Sequence, residues 1–133
     1  MGKVLLLLIG IFFLCVAMMC DGEGKPVYTY VTNKTDEIIY VQKTYSGAQI
    51  EDAFRLAFQE VYPDSTVPIE TYYVYESDSP EDFGAVEFWI FKKGTFDEHT
   101  YHEIIENKLV DKWCAYSYKE LKAMDFKFSY CGN

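Results

Sequence analysis

The clearest element of the sequence is Ile50–Val61, which reads IEDAFRLAFQEV. Its apolar residues recur at the i, i+3, i+4, i+7 spacing of a helix that buries one face. Ser46 and Gln49 have the spacing of a capping box in front of it. Pro63 ends the pattern, because proline cannot continue the hydrogen-bond ladder of a helix. The stretch therefore predicts an amphipathic helix.

Segments rich in β-branched and aromatic residues lie on both sides of this helix. Val27–Val31 and Glu37–Lys43 precede it, and Ile69–Tyr75 and Val86–Phe91 follow it. This composition is typical of strands. The acidic stretch Glu76–Asp82 joins the last two segments, and it predicts a solvated hairpin loop between neighbouring strands of one sheet.

A second helix and a last strand complete the order of elements. Thr100 and Glu103 form a capping box, and an apolar stripe continues at helical spacing from Tyr101 to Trp113. Met124–Tyr130 alternates in polarity, which predicts a half-buried strand. The order predicts an α+β fold of the ferredoxin-like βαββαβ type. In that fold two helices lie on one face of a four-stranded antiparallel sheet, here with an extra N-terminal strand.

The first twenty residues have the pattern of a secretory signal peptide. Lys3 precedes an apolar run, Val4–Met19, and the cleavage point within Ala17–Gly22 is left open. The run is slightly shorter than the ~17–25 residues that span a bilayer, which disfavours the alternative of an uncleaved anchor. We predict a signal peptide at residues 1–20, one domain at residues 21–133, and secretion without stable membrane insertion.

The composition excludes several classes of partner. The 133 residues contain 12 Lys and Arg against 21 Asp and Glu, for a net charge of −9. Residues 1–20 contain one Lys and no acid, so the remaining 113 residues carry a charge of −10. Phosphates of nucleic acids and anionic lipids repel such a chain. We therefore expect the partner to be an extracellular protein or glycan.

Two covalent features are predicted for the exported part. Cys114 and Cys131 are its cysteines under most cleavage choices, and in an oxidising compartment they predict one disulfide. Neither cysteine has the neighbouring histidine or cation in sequence that would mark a reactive thiol. Asn33-Lys34-Thr35 is an N-glycosylation sequon between two predicted strands, and a turn there would expose it. We predict a glycan on Asn33.

The predicted sheet offers one candidate binding surface. Alternation along Val86–Phe91 places Trp89 and Phe91 on one face, and Tyr72 of the next strand falls on the same face. If helices cover the opposite face, these rings form an exposed patch that stacks on sugars or anchors a protein. The competing interpretation, which we favour, is that the N-terminal segment 27–45 covers the rings.

No catalytic, metal-binding or cofactor-binding motif is recognisable. His99 and His102 are the only histidines, but a cap at Thr100 leaves His99 outside the helix, and no third ligand has a known spacing. The sequence has neither a Gly-x-Ser-x-Gly motif nor a glycine-rich phosphate loop. Arg55 is the only arginine, and arginine normally fixes phosphates and carboxylates. We predict a non-enzyme without cofactor or metal.

From Ala53 onward the chain resembles the SEA domain of mucins, agrin and enteropeptidase. The likeness consists of a helix at Ala53–Tyr62, a variable hairpin, and the segment Gly84–Thr95. The resemblance implies an extracellular, ferredoxin-like module. In that family a serine after the hairpin glycine attacks the preceding peptide bond, and the chain cleaves itself. Gly84 and Val86 match this motif, but Ala85 occupies the serine position, so the resemblance implies a non-cleaving member.

These observations predict a secreted, non-enzymatic, SEA-like module that binds protein or glycan and does not cleave itself. A cystatin-like protease inhibitor is one alternative. Its Gln-x-Val-x-Gly loop is missing, because residues 42–46 read Gln-Lys-Thr-Tyr-Ser. A secreted effector or toxin of unrelated descent is the other alternative.

Overall fold

A computed structural model describes residues 23–133, so the predicted signal peptide lies outside the described residues. The described part contains seven strands, four short α-helices and one 3-10 turn. Their order is β1 (Lys25–Asn33), β2 (Ile39–Tyr45), α1 (Ile50–Ala53), β3 (Gln59–Val61), β4 (Thr66–Val74), the 3-10 turn Pro80–Asp82, β5 (Val86–Lys92), α2 (Lys93–Glu98), α3 (Tyr101–Glu106), β6 (Lys112–Tyr116), α4 (Tyr118–Ala123) and β7 (Lys127–Tyr130). None of these helices is long and apolar enough to cross a membrane.

The strands form two sheets. Sheet I has the order β4-β1-β7, with β1 antiparallel to β4 and parallel to β7. Sheet II has the order β3-β2-β5-β6 and is antiparallel throughout. The α+β class is therefore confirmed, while the ferredoxin-like arrangement in one four-stranded sheet is not. The two strands expected to form a hairpin, β4 and β5, belong to different sheets.

Strand β5 explains why the chain does not form the predicted single sheet with helices on one face only. All six residues from Val86 to Phe91 are buried. Val86, Phe88 and Ile90 point into the core between the sheets, whereas Trp89 and Phe91 point into a second core. A strand that is apolar on both faces needs cover on both. Sheet I covers one face of sheet II, and the helices cover the other.

Each core joins parts of the chain that are distant in sequence. Between the sheets, Val31 and Ile69 of sheet I pack with Val41 and Phe88 of sheet II, and Leu121 of α4 closes one side. The second core holds Ile50 and Ala53 of α1 and Ile104 of α3 against β5. Three layers result, in the order sheet I, sheet II and helices.

The predicted helix Ile50–Val61 is wrong beyond its first turn. It ends at Ala53, and the chain becomes strand β3 at Gln59. Phe54 and Phe58 pack on Phe91 in the second core, whereas Val61 is completely buried in the core between the sheets. One straight helix cannot reach both cores, so pairing of β3 with β2 replaces its last turns. The helical spacing of these apolar residues therefore reflects burial in two different cores and not burial of one helix face.

The capping box at Thr100 is confirmed, but its helix is shorter than predicted. The Glu103 amide donates to Thr100 Oγ1 at 3.3 Å, and the Thr100 amide donates to Glu103 Oε2 at 2.7 Å. The helix ends at Glu106, and Lys108 has a left-handed backbone with φ of 50°. Trp113, which the pattern assigned to this helix, lies on β6 and pairs with Trp89 of β5.

The last strand also begins later than its alternation indicated. Helix α4 occupies Tyr118–Ala123, and Asp125 and Phe126 then adopt left-handed conformations with φ of 54° and 52°. Strand β7 therefore starts at Lys127. It runs parallel to β1, which places the end of the described chain in sheet I.

Candidate binding face on sheet I

The predicted aromatic patch of Tyr72, Trp89 and Phe91 is not a surface. These residues are 5%, 7% and 0% exposed. The Tyr72 hydroxyl donates to the Gly84 carbonyl oxygen at 3.1 Å, and Trp89 Nε1 donates to Thr44 Oγ1 at 2.8 Å. Burial, aided by Tyr45 and Tyr118, raises the pKa of Tyr72 to about 12. The prediction of an exposed patch here is wrong, because Trp89 and Phe91 lie in the second core and Tyr72 lies in the core between the sheets. The favoured interpretation, that these rings are covered, is confirmed.

A different face is open, and it lies on sheet I. Along β1, Thr29, Val31 and Asn33 are completely buried toward sheet II. The alternate residues Tyr28 and Tyr30 point outward and are 39% and 41% exposed. Burial of one face and exposure of the other follow from the two-residue period of a strand. Within residues 23–133, helices cover sheet II and leave the outer face of sheet I free.

We call this surface the tyrosine face. Its residues stand in cross-strand rows that the registers fix, and each is exposed or half-buried. The members are Tyr28, Tyr30 and Thr32 of β1, Thr66, Pro68, Glu70 and Tyr73 of β4, and Lys127 and Ser129 of β7.

Two adjacent rows give the tyrosine face its chemistry. Thr66, Thr32 and Ser129 form a row of hydroxyl groups across all three strands. The Thr32 and Thr66 hydroxyl oxygens are 2.7 Å apart and share a hydrogen bond. The next row contains Tyr30 between Pro68 and Lys127, about 6.7 Å away along the strands. An aromatic ring thus stands beside a line of hydroxyl groups.

A groove runs between these rows. It has a volume of about 420 Å³ and is lined by Tyr30, Thr32, Thr66, Lys127, Phe128 and Ser129. Volumes of roughly 300–1,000 Å³ are typical of ligand sites. The hydroxyl groups and the lysine can donate hydrogen bonds to a ligand, and the Tyr30 ring can supply apolar contact, whereas the Phe128 ring packs on Phe88 in the core.

The tyrosine face is nearly neutral on an acidic protein. Residues 23–133 contain 11 basic and 20 acidic side chains, but the tyrosine face contains only Lys127 and Glu70 as charged residues. Lys127 Nζ lies 3.1 Å from Asp125 Oδ2, which partly neutralises the ammonium group. The acidic excess therefore lies elsewhere on the molecule.

The predicted disulfide is not present. Cys114 and Cys131 are both free thiols, the first half-buried and the second exposed. Cys114 lies on β6, opposite Phe88 of β5. Cys131 follows β7 and lines a cavity with Lys92. Burial also raises the pKa of the Cys114 thiol.

The sequon asparagine is not on an exposed turn. Asn33 is the last residue of β1 and is completely buried, so the expected exposure is wrong. Its Nδ2 donates to the carbonyl oxygens of Glu37 and Val61, each at 2.8 Å. Its Oδ1 accepts from the Thr35 amide and hydroxyl at 2.9 and 2.7 Å. The side chain thus ties sheet I to the loop before β2 and to β3.

The Gly84-Ala85-Val86 motif leads directly into β5. The Ala85 carbonyl oxygen accepts from the Ser46 amide at 3.0 Å, and no positive φ occurs at Gly84. A side chain at Gly84 would meet nothing within 4 Å. The segment connects two different sheets, so it does not close the hairpin that the SEA resemblance implies.

The histidines lie on the helical side of the molecule. His102 Nε2 lies 2.9 Å from Glu106 Oε1, and His99 Nδ1 lies 4.0 Å from Glu103 Oε2. Across residues 23–133, no cluster of three or more histidine, cysteine or acidic side chains is arranged to hold a metal ion.

Comparison with known proteins identifies no relative of this chain. No protein-family model matches the sequence, and neither the curated proteins nor the solved structures give a match. The resemblance to SEA domains therefore stays a prediction, and the function must be argued from the surface itself.

Proposed function

We propose that this chain is an exported, non-enzymatic module that binds an extracellular partner through the tyrosine face. The observation that carries the proposal is the exposure of Tyr28 and Tyr30 on the central strand of an uncovered sheet. Exposed aromatic groups that share one face usually mark a site of interaction. Tyr73, which is 48% exposed, extends this surface over β4.

The composition of the tyrosine face supports binding over a purely structural role. Tyrosine with serine and threonine is the combination that recurs in binding surfaces, because the rings give rigid contact area and the hydroxyls adapt their hydrogen bonds. The backbone beneath is fixed, since β1 pairs with a strand on each side. A partner would therefore meet side chains that are already positioned.

Export and the absence of catalysis rest on the sequence. The n-region and h-region at residues 1–20 support export, and the lack of a nucleophile-base motif supports a non-enzymatic role. A SEA-type module, with its ferredoxin-like fold, stays a prediction from Gly84 and Val86. In such a module Ala85 offers no hydroxyl for attack, so the mass of the purified secreted chain should be that of one uncut polypeptide.

Binding of the labelled, secreted chain to the surface of eukaryotic cells tests the proposal. Replacing Tyr28 and Tyr30 together by serine should remove saturable binding without unfolding the protein, because both rings point into solvent. The matched control replaces Tyr62 and Tyr101, which are 55% and 57% exposed outside the tyrosine face. Equal binding by both double variants and the unchanged chain would contradict the proposal.

A further inference from the structure

We infer that the groove beside Tyr30 binds a neutral saccharide, with a sugar ring against Tyr30 and sugar hydroxyls on the row Thr66, Thr32 and Ser129. This inference rests on the proposed function and names the class of ligand that the tyrosine face takes. A protein partner on the same face is the competing outcome of the test.

The first argument is the pairing of a ring with a row of hydroxyls. Tyr30 keeps 41% of its surface in solvent, and the hydroxyl row lies about 6.7 Å further along the strands. A pyranose has an apolar face of C–H groups and a rim of hydroxyls. Stacking on Tyr30 therefore brings the rim of the same or the next sugar within reach of Thr32.

The second argument is the hydrogen-bonding capacity that the row leaves unused. Thr32 and Thr66 share one hydrogen bond, so only one of their two hydroxyl hydrogens is engaged between them. Ser129 is exposed, so its hydroxyl is accessible to a ligand at the end of the same row. Hydroxyl groups both donate and accept, which matches the hydroxyls of a sugar in either direction.

The third argument is charge. Outside the tyrosine face, residues 23–133 carry 10 basic and 19 acidic side chains, whereas the tyrosine face carries one of each, Lys127 and Glu70. A polyanionic glycan would approach against the field of the whole protein. A neutral saccharide has no such penalty. Neutral ligand and neutral surface are therefore complementary.

Titration of the secreted chain with neutral oligosaccharides tests the class of ligand directly. Chitotriose, maltotriose and lactose serve as probes, and a heparin tetrasaccharide serves as the anionic comparison. We expect at least one neutral probe to give saturable NMR shifts at the Tyr30, Thr32 and Ser129 amides. Tyr30→Ala should weaken that binding roughly tenfold. Thr32→Val, which keeps the shape and removes the hydroxyl, should weaken it while the spectrum stays folded.

Periodate treatment of cells makes the test independent of the sugars chosen. Periodate, at a concentration that cleaves the ring diols of neutral sugars and not only the exocyclic diol of sialic acid, destroys most surface saccharides, and we expect it to abolish binding that depends on Tyr30. Binding that survives periodate but is removed by trypsin would overturn the saccharide and leave the proposed function standing, with a protein as partner. Binding that neither Tyr30→Ala nor the double replacement of Tyr28 and Tyr30 changes, with no shift from any neutral probe, would overturn both. Tyr62→Ala controls for loss of an exposed ring elsewhere.

Discussion

Asn33 holds three segments of the chain together, and Asn33→Ala should lower the free energy of unfolding by about 3 kcal/mol. The side chain is completely buried and makes four hydrogen bonds, two as donor and two as acceptor. A net loss of about 0.5–1.5 kcal/mol for each of the four bonds gives roughly 2–6 kcal/mol, and part of that loss is recovered. The Glu37 carbonyl oxygen still accepts from the Thr35 hydroxyl at 3.0 Å. The Val61 carbonyl oxygen loses its bond to the buried amide.

The matched control is Thr35→Val, because it also destroys the sequon. It removes the hydroxyl bonds to Asn33 Oδ1 and to the Glu37 carbonyl oxygen, but it leaves both donations by Asn33 intact. We expect a loss of about 1 kcal/mol for this variant. A protein of this size has a free energy of unfolding of roughly 5–15 kcal/mol, so the difference between the variants is readily measured. Urea unfolding followed by tryptophan fluorescence supplies the values.

The same residue decides the glycosylation prediction. A glycan on Asn33 Nδ2 would replace one of the two donated hydrogens, and the completely buried site has no room for a sugar. We expect the folded, secreted chain to keep its mass after treatment with an N-glycosidase. A loss of mass, or equal destabilisation by Asn33→Ala and Thr35→Val, would refute the structural role argued here.

Three further predictions test the buried and exposed groups. Trp89→Ala should lower the free energy of unfolding by about 3–5 kcal/mol, because the ring is buried. Trp113→Ala should lower it by less than about 2 kcal/mol, because that ring is 48% exposed. Urea unfolding compares the two variants, and equal losses would place Trp89 at the surface. The pKa of Tyr72 is about 12 in the fold and near 10 when unfolded, so the stability it contributes is complete below pH 10 and is lost as the pH rises toward 12. The urea midpoint should therefore be lower at pH 11.5 than at pH 9. Cys131 should react rapidly with iodoacetamide and Cys114 slowly, because the first is exposed and burial raises the pKa of the second. Intact mass after timed labelling follows both reactions. If neither cysteine reacts, the two are joined in the disulfide that the sequence predicted.

Four of the seven strands were predictable because their residues carry a local signal, whereas β3 and β6 fall in stretches whose spacing predicted helices. β-branched and aromatic composition located the strands β1, β2, β4 and β5, and the hydroxyl of Thr100 located a helix start. The partition into two sheets was not predictable in this way. Strand pairing joins residues far apart in the sequence, and nothing local to Ile69–Tyr75 indicates that it pairs with β1 and not with β5.

The candidate face was missed because Thr29 taken alone suggests the wrong orientation for β1, although Val27 and Val31 on the same face indicate the right one. Thr29 is less apolar than its neighbours, yet it is buried, and the larger rings of Tyr28 and Tyr30 face solvent. The reason is a hydrogen bond of 2.7 Å between the hydroxyls of Thr29 and Thr71, which satisfies both groups inside the core. A tyrosine hydroxyl in that position would need a partner further from the backbone. The spacing of two tyrosines around one threonine is the signal that could have indicated the face.

This orientation also separates the residues that stabilise the core from those of the proposed binding surface along a single strand. Thr29 and Tyr30 are adjacent, but one points into the core between the sheets and the other into the groove of the tyrosine face. Loss of the Thr29 hydroxyl leaves that of Thr71 with only the Ile69 carbonyl oxygen as partner, so it acts on folding. The Tyr30 ring is 41% exposed, so we expect its loss to act on the proposed binding and to cost little stability. Pairing of β1 with a strand on each side fixes these two orientations. A shift of the register by one residue would turn Thr29 outward and Tyr30 into the core.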